Sequence, residues 1–293
     1  MQPLNSLPKY NMFGTEEIDY KKAKVVVLPI PYDSTVTYKS GTRDGPRAII
    51  DASRNMELYS YELGSDISKI GVYTMDELAP DLSSPQNMVK RISKEVGLII
   101  DSGKVPLILG GEHTITIGAV DAFAKKNKNF SVVQLDAHAD TRDEMFNTKY
   151  MHATAMARCS ELAKNVVGVG IRSTDAPLDP KNKRAKSFFM EEVKRKGIEA
   201  VAKEVAKLTE KEIYLTIDAD VFDPSEMPSV GTPEPDGLRF NDAMVLIKEL
   251  AKSKKLLGFD IVELSPISGL HAPNYALAKL AYLTIGYFLL AKK

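Results

Sequence analysis

Three apolar runs in this chain end abruptly in side chains that ionise. "SVVQLDAHADTRDEM" passes from Val132, Val133 and Leu135 to Asp136, His138 and Asp140, spaced by single alanines. "LTIDADVFDP" places Asp218 and Asp220 after Leu215 and Ile217. "VPLILGGEHTITIGAV" runs through Gly110 and Gly111 to Glu112 and His113. Carboxylates and imidazoles are costly to take out of water unless something compensates them. Along an extended chain, positions i, i+2 and i+4 share a face, so the acids and histidines of each stretch converge if the extended geometry persists past the strand end. His113, Asp136, His138, Asp140, Asp218 and Asp220 are too many ligands for one tetrahedral zinc site. They suit two divalent ions about 3.5–4 Å apart, bridged by carboxylates and a water. The oxygen-rich donor set with some imidazole favours manganese on ligand softness, although affinity order alone would not select it. One such motif could be a self-satisfied hydrogen-bond cluster. Two of them, plus a Gly-Gly-Glu-His corner, each closing an apolar run, leave that explanation little room. Glu112 either orients His113 from behind or is the first-turn acid of a helix.

These residues need strands to present them. Near-continuous apolar runs recur at 24–30, 69–75, 104–111, 130–138, 165–172, 212–220 and 256–264, without polar alternation. Strands of that kind are covered on both faces, as in a parallel sheet. Helical patterns fall between them, at 86–102, 114–126, 152–164, 191–207, 240–253 and 275–290. Strand–helix alternation throughout predicts an α/β fold, a three-layer α/β/α sandwich around a central parallel sheet. No repeat or linker divides it, so residues 1–293 are expected to form one domain with an N-terminal extension of about 1–22. The proline- and glycine-rich stretch 223–238 must be loop, and loops at strand C-termini carry the sites of such sheets.

Lys+Arg and Asp+Glu balance at 39 each, which gives nucleic acid no basic footprint. The single cysteine, Cys159, permits no intrachain disulfide and reads as a small buried hydrophobe in a reducing compartment. The start "MQPLNSLPKYNMFG" is not a secretory signal. The apolar tail 275–290 is shorter than the ~20 residues of a membrane span and reads as a buried helix. The cytoplasm is the expected location.

"GGEHTIT", "LDAHADTRDE", "IDADVFDP" and "GTPEPDGL" resemble the signature segments of the ureohydrolase family, which contains arginase and agmatinase. "PIPYDSTVTYKSGTRDGPRAI" and "DIVELSP" extend the likeness over roughly residues 24–290. The resemblance implies an arginase-like fold and two Mn2+ per subunit. It implies His113 and Asp140 on one ion, His138 and Asp220 on the other, and Asp136 and Asp218 bridging both. It implies that His152 is the catalytic histidine, that Glu263 holds the guanidinium, and that Thr232 lines the pocket. Asp140 would take a proton from a metal-bridging hydroxide that attacks the guanidinium carbon, and pass it to the leaving amine. Assembly as a homotrimer or homohexamer is implied too. His152 stands in Met151-His152-Ala153 where relatives often carry Ser-His-Gly, and "ISGLHAPNYALA" departs from the pattern after "ELSP". His271 matches no role and is expected to be structural or at the surface.

The segments "GTPEPDGL" and "PYDSTVTYKSGTRDGP" look more like agmatinase than arginase. Hydrolysis of agmatine, a small cationic guanidino substrate, to putrescine and urea is therefore the expected reaction. Asp143 and Glu144, in the loop after the DAHAD motif, could favour a cationic tail or be solvated loop charges. Arginase or another guanidino-acid or formimidoyl hydrolase is the alternative, and a metal-binding pseudoenzyme without turnover is a more distant one. "VGVGIRS" (167–173) hints at nucleotide binding but lacks the third glycine of a dinucleotide fingerprint.

Overall fold

The β-branched runs all become strands of one sheet. The computed structural model of the chain describes residues 9–16, 18–175 and 185–290; the expected extension of about 1–22 lies partly outside them. Strands β1 (Val25–Ile30), β4 (Val72–Thr74), β5 (Val105–Gly110), β6 (Ser131–Leu135), β7 (Asn165–Ile171), β8 (Ala185–Phe189), β9 (Glu212–Asp218) and β10 (Lys255–Val262) pair in the order β4-β1-β5-β10-β9-β6-β7-β8. Every adjacent pair is parallel. A separate two-stranded ribbon joins β2 (Tyr59–Ser60) to β3 (Ser65–Asp66).

Both faces of the sheet are buried, as the unbroken apolar runs require. Val26, Leu28, Ile30, Ile108 and Val132 pack beneath helices α2 (Pro85–Asp101), α3 (Thr114–Ala124) and α4 (Ala155–Leu162). Val25, Val27, Leu107, Leu109, Val133 and Leu135 face the opposite cluster. That layer holds α1 (Gly45–Ser53), α5 (Met190–Lys196), α6 (Ile198–Leu208), α7 (Phe240–Ala251) and α8 (Ala272–Leu289). Each fully buried side chain of this size contributes about 1.5–3 kcal/mol. Cys159 is buried in the first of these clusters, as its reading predicts.

Local chemistry explains where the structure departs from the periodicity. The expected helix 191–207 is two helices, because Gly197 takes φ 83° between α5 and α6. A left-handed residue ends one helix and glycine adopts it without a Cβ clash. The expected helix 152–164 begins as a single 3-10 turn, His152–Thr154, and becomes α-helical only from Ala155. Ser84 caps α2 by accepting from the Asn87 amide at 3.2 Å, with Pro85 at the first position. Strand β8 and helix α1 were not legible: "AKSFF" is short, and "GPRAIIDAS" opens with glycine and proline.

The order of strands decides the function. β9 and β10, late in the chain, insert between β5 and β6, so β5, β10, β9 and β6 are consecutive neighbours. Being parallel, they open their C-terminal ends on one edge, beside the point where the strand order reverses. The β5–α3 corner is drawn tightly onto the end of β1: the Gly111 amide donates to Ile30 O at 3.2 Å and the Glu112 amide to Tyr32 O at 2.8 Å. A Cβ on Gly111 would lie 2.0 Å from Tyr32 O. The substitution Gly111→Ala is therefore expected to destabilise the chain by about 1–3 kcal/mol in chemical denaturation. Unchanged stability would show that this corner is not closely packed.

Candidate metal centre and active site

His113 closes the β5 corner as the residue before α3, and its side chain is buried to 1% exposure. Its Nε2 lies 2.8 Å from Thr216 Oγ1, on β9 two residues before Asp218. Thr216 Oγ1 can accept from Nε2–H, and in that tautomer the Nδ1 lone pair points the other way. There it meets Asp136 Oδ2 at 3.1 Å, Asp140 Oδ2 at 3.1 Å and Asp218 Oδ2 at 3.3 Å. Nδ1 is buried and has no hydrogen-bond partner. A lone pair facing three carboxylate oxygens is repulsive unless a cation or a proton sits among them. Donors at bond lengths of about 2.0–2.3 Å from one ion, at right angles, stand about 3 Å apart. The spacing around Nδ1 is of that order.

A second group adjoins the first. His138 Nδ1 lies 2.9 Å from Asp220 Oδ2 and 3.7 Å from Asp136 Oδ1. Asp136, His138 and Asp220 could hold one ion, and His113, Asp136 and Asp140 another. Asp136 belongs to both, with one oxygen facing each. The donor set of carboxylates and imidazoles suits a divalent cation of intermediate hardness. All six residues singled out in the sequence are thus brought together; Asp218 stands on the His113 side.

Surrounding groups hold these side chains in place. Gln134 Nε2 donates to Asp136 Oδ2 at 2.7 Å and to His138 O at 3.0 Å. The His138 amide donates to Asp136 Oδ1 at 2.6 Å, the Ala137 amide to Asp220 Oδ1 at 3.1 Å, and the Asp220 amide to Asp218 Oδ1 at 2.8 Å. The extended geometry does not persist to Asp140, which takes φ 52°. Its carbonyl instead accepts from the Met156 and Ala157 amides of α4 at 2.9 and 3.1 Å. That turn, not strand periodicity, carries its carboxylate to His113. Glu263, just past β10, takes φ 63° and accepts from the His113 amide at 2.6 Å. Left-handed backbone at two non-glycine residues costs about 1–2 kcal/mol each and clusters where side chains must be aimed.

Glu112 neither touches the His113 ring nor acts as a simple helix-start acid. Its carboxylate accepts from the Thr35 amide at 2.7 Å and from Thr35 Oγ1 at 2.5 Å, holding the loop after β1 over the site. That loop brings Thr37 Oγ1 to 3.2 Å from His152 Nε2. Thr232 Oγ1 donates to Asp220 Oδ2 at 3.3 Å. A cavity of about 220 Å3 opens here, walled by His138, Asp140, His152 and Thr232, with Thr37, Arg142, Met145 and Asp175. Glu263 is buried behind this opening, outside its walls. Asp143 is outside it too, paired with Arg158 at 2.5 Å and Lys149 at 3.1 Å; Glu144 is exposed nearby. These two are loop charges. His271 is exposed at the start of α8.

Arg142, Asp175 and Thr216 escaped the sequence reading, although two carried a signal. Asp175 follows the "NVVGVGIR" strand as Asp140 follows β6, and Thr216 shares a strand face with Asp218. Arg142 Nε leans on Asp175 at 3.5 Å.

Mutual repulsion and burial leave protons in this cluster. Burial, then Asp220 and Asp140, push the Asp136 carboxyl up to about 7. Burial, Asp220 and Asp136 raise Asp218 well above the carboxylate range. Burial opposes charge on His138, but Asp220 and its fellow acids outweigh it and raise the imidazole to about 10. Burial would also raise Asp220, yet His138 holds it down at about 2. Burial lowers His152 from its ordinary value against the pull of Asp140, favouring a neutral imidazole.

A family model described as the arginase family matches residues 23–285. The chain belongs to the arginase family. It is 35% identical to the N(1)-aminopropylagmatine ureohydrolase of Synechocystis sp. over 290 residues, covering 96% of this chain and 94% of that one. It is 29% identical to the agmatinase of Bacillus subtilis over 87% of this chain and 88% of the relative. Its fold superposes on the agmatine ureohydrolase of Thermoplasma volcanium with a TM-score of 0.87 at 32% identity, covering 97% and 95% of the two chains. The chain is accordingly an amidinohydrolase of the ureohydrolase type, with an arginase-fold sheet and clusters that could bind metal. Among the described residues no helix is long and apolar enough to cross a membrane.

Two outcomes are expected. Asp136→Asn should weaken metal binding at both groups, and Asp220→Asn chiefly at the His138 group, in equilibrium dialysis with metal analysis; equal effects would separate Asp136 from its shared position. Metal affinity should rise with pH across neutrality, because Asp136 is protonated below about 7 in the metal-free chain and must release that proton to bind. Calorimetry in buffers of different ionisation enthalpy checks this, and binding without proton release would contradict it.

Proposed function

We propose that this chain is a binuclear manganese ureohydrolase that cleaves a guanidinoalkyl amine to urea and the free amine. The observation that carries the reading is the orphaned His113 Nδ1 among three carboxylate oxygens, joined through Asp136 to the His138–Asp220 group. Two divalent ions held there would lower the pKa of bound water and so supply a nucleophile at neutral pH.

The chain's own groups do the rest. Asp140, on the cavity wall and beside His113, is placed to take a proton and return it to the departing nitrogen. Glu263 offers a carboxylate for the planar guanidinium once it reaches beyond the open cavity, a charge-assisted pair. His152, neutral at rest and half-buried beside Thr37, can take a proton from solvent and pass it as imidazolium to the leaving amine. The balance is R–NH–C(NH2)2+ plus water to R–NH3+ plus urea, and it needs no co-reactant.

The tail of the substrate is read as an amine. Asp175 lines the cavity, and Glu234 Oε1 lies 3.8 Å from His138 Nε2 at its side. Arg142, the guanidinium on the wall, is already paired with Asp175, so a substrate carboxylate would have to displace that contact. Asp175 is neutralised by the same pair, so the acid left to meet an amine is Glu234; N(1)-aminopropylagmatine, with two amines in its tail, is favoured by that carboxylate and by the greater identity to the Synechocystis relative. Agmatine, the expectation from sequence, is the second reading, supported by the structural likeness to the Thermoplasma enzyme.

Urea release by the purified, manganese-loaded chain should therefore be fastest, in kcat/KM, with N(1)-aminopropylagmatine, then agmatine, with arginine and guanidinobutyrate far behind. Faster release from arginine than from either amine would sink the amine-tail reading. No release from any guanidino compound by a chain that binds two manganese ions would point instead to a pseudoenzyme.

A further inference from the structure

The "VGVGIRS" segment packs inside the edge that carries the acid–histidine cluster. Gly170, at φ 96°, lets the end of β7 press against two ligand-bearing segments at once. A Cβ there would stand 2.7 Å from Val221 Cγ2 and 3.1 Å from Asp136 O. Beyond it the backbone joins the DAHAD stretch. The Arg172 and Ser173 amides donate to Ala137 O at 2.8 and 2.9 Å, and the Ala139 amide donates to Ser173 O at 3.1 Å.

The guanidinium of Arg172 reaches the other way, to the loop after β9. Nη2 donates to Asp220 O at 2.7 Å, Glu234 O at 2.9 Å and Phe222 O at 3.4 Å. Nη1 donates to Gly170 O at 3.0 Å and Val221 O at 3.2 Å, and Nε to Pro235 O at 3.0 Å. Its hydrogen-bond acceptors are all carbonyls, with no carboxylate among them. A half-buried cation is an expensive way to satisfy carbonyls unless their placement matters. Apart from Gly170 O, they belong to the two ends of the loop 219–235, which delivers Asp220, Thr232 and Glu234.

We propose that Arg172 is the positioning residue of the second metal group. Its backbone is locked to the segment of Asp136 and His138, and its guanidinium to the segment of Asp220. One residue thereby sets the separation of the two, and with it the 2.9 Å approach of His138 Nδ1 to Asp220 Oδ2. The His113 group depends on it less, since Asp140 is placed by α4 and Asp218 by the end of β9 itself. The inference rests on the metal reading of these clusters given above.

The test is a manganese titration of the full chain carrying Arg172→Lys, which keeps the charge but cannot span both segments. Calorimetry should show the first ion binding as in the unmodified chain and the second weakened by about 10- to 100-fold. Electron paramagnetic resonance should show the spectrum of a coupled manganese pair replaced by that of an isolated ion. Arg172→Gln, which removes the charge and shortens the reach while leaving the backbone bonds to Ala137 in place, offers the same readout if Arg172→Lys does not fold. Two ions bound with unchanged affinity and a coupled spectrum would overturn the role of Arg172, as would equal weakening of both. An unmodified chain that binds no pair of ions would overturn the metal reading itself, which is a separate result.

Discussion

Like charge, packed at the buried end of a cavity, is the constraint on which this structure turns. Asp136, Asp140, Asp218, Asp220 and Glu263 crowd the end of four strands, with two imidazoles between them and little solvent to screen them. Such an arrangement survives only if protons or cations neutralise it. Its surroundings read as means to that end. Thr216 holds the His113 ring, and Gln134 and backbone amides hold the carboxylates, both oxygens of Asp136 among them. The left-handed backbone at Asp140 and Glu263 is tolerated because aiming these two side chains is worth more than about 1–2 kcal/mol of local strain.

The fold meets the constraint by topology. Inserting β9 and β10 between β5 and β6 makes neighbours of segments far apart in the chain, Leu107 beside Phe259 and Ser131 beside Ile213. The same insertion explains why loops, not strands, finish the site. The loop after β1 is clamped by Glu112 through Thr35 and delivers Thr37, while the loop after β9 is clamped by Arg172 and delivers Thr232 and Glu234. The floor formed by the acid–histidine cluster is central in the sheet. The walls that would meet a substrate tail are borrowed from segments that each hang on one charged residue, Glu112 buried and Arg172 half-buried.

Much of this was legible in the residues themselves. The paired acid–histidine motifs ended apolar runs, a pattern that needs neutralising partners, so the cluster could be anticipated from Asp136, His138, Asp218 and Asp220. The unbroken apolar strands required a parallel sheet covered twice, as found. The split of the expected helix at Gly197, the 3-10 start at His152 and the short strand β8 were not legible, because each is decided by a turn or a pairing too brief to leave a period. Glu112 was misread for a different reason: its partner, Thr35, lies 77 residues away.

By itself, the sequence determined which side chains ionise, that strands must present them, and that their donor chemistry suits divalent cations, since residue type and period-two spacing are local properties. Only the tertiary structure decided that β5, β10, β9 and β6 stand side by side, that Asp140 reaches His113 through a turn against α4, and that Asp175, not Asp143, faces the cavity. Those outcomes depend on strand order, loop path and ion pairing across the chain. These are set by which distant surfaces bury one another, and no local pattern encodes them.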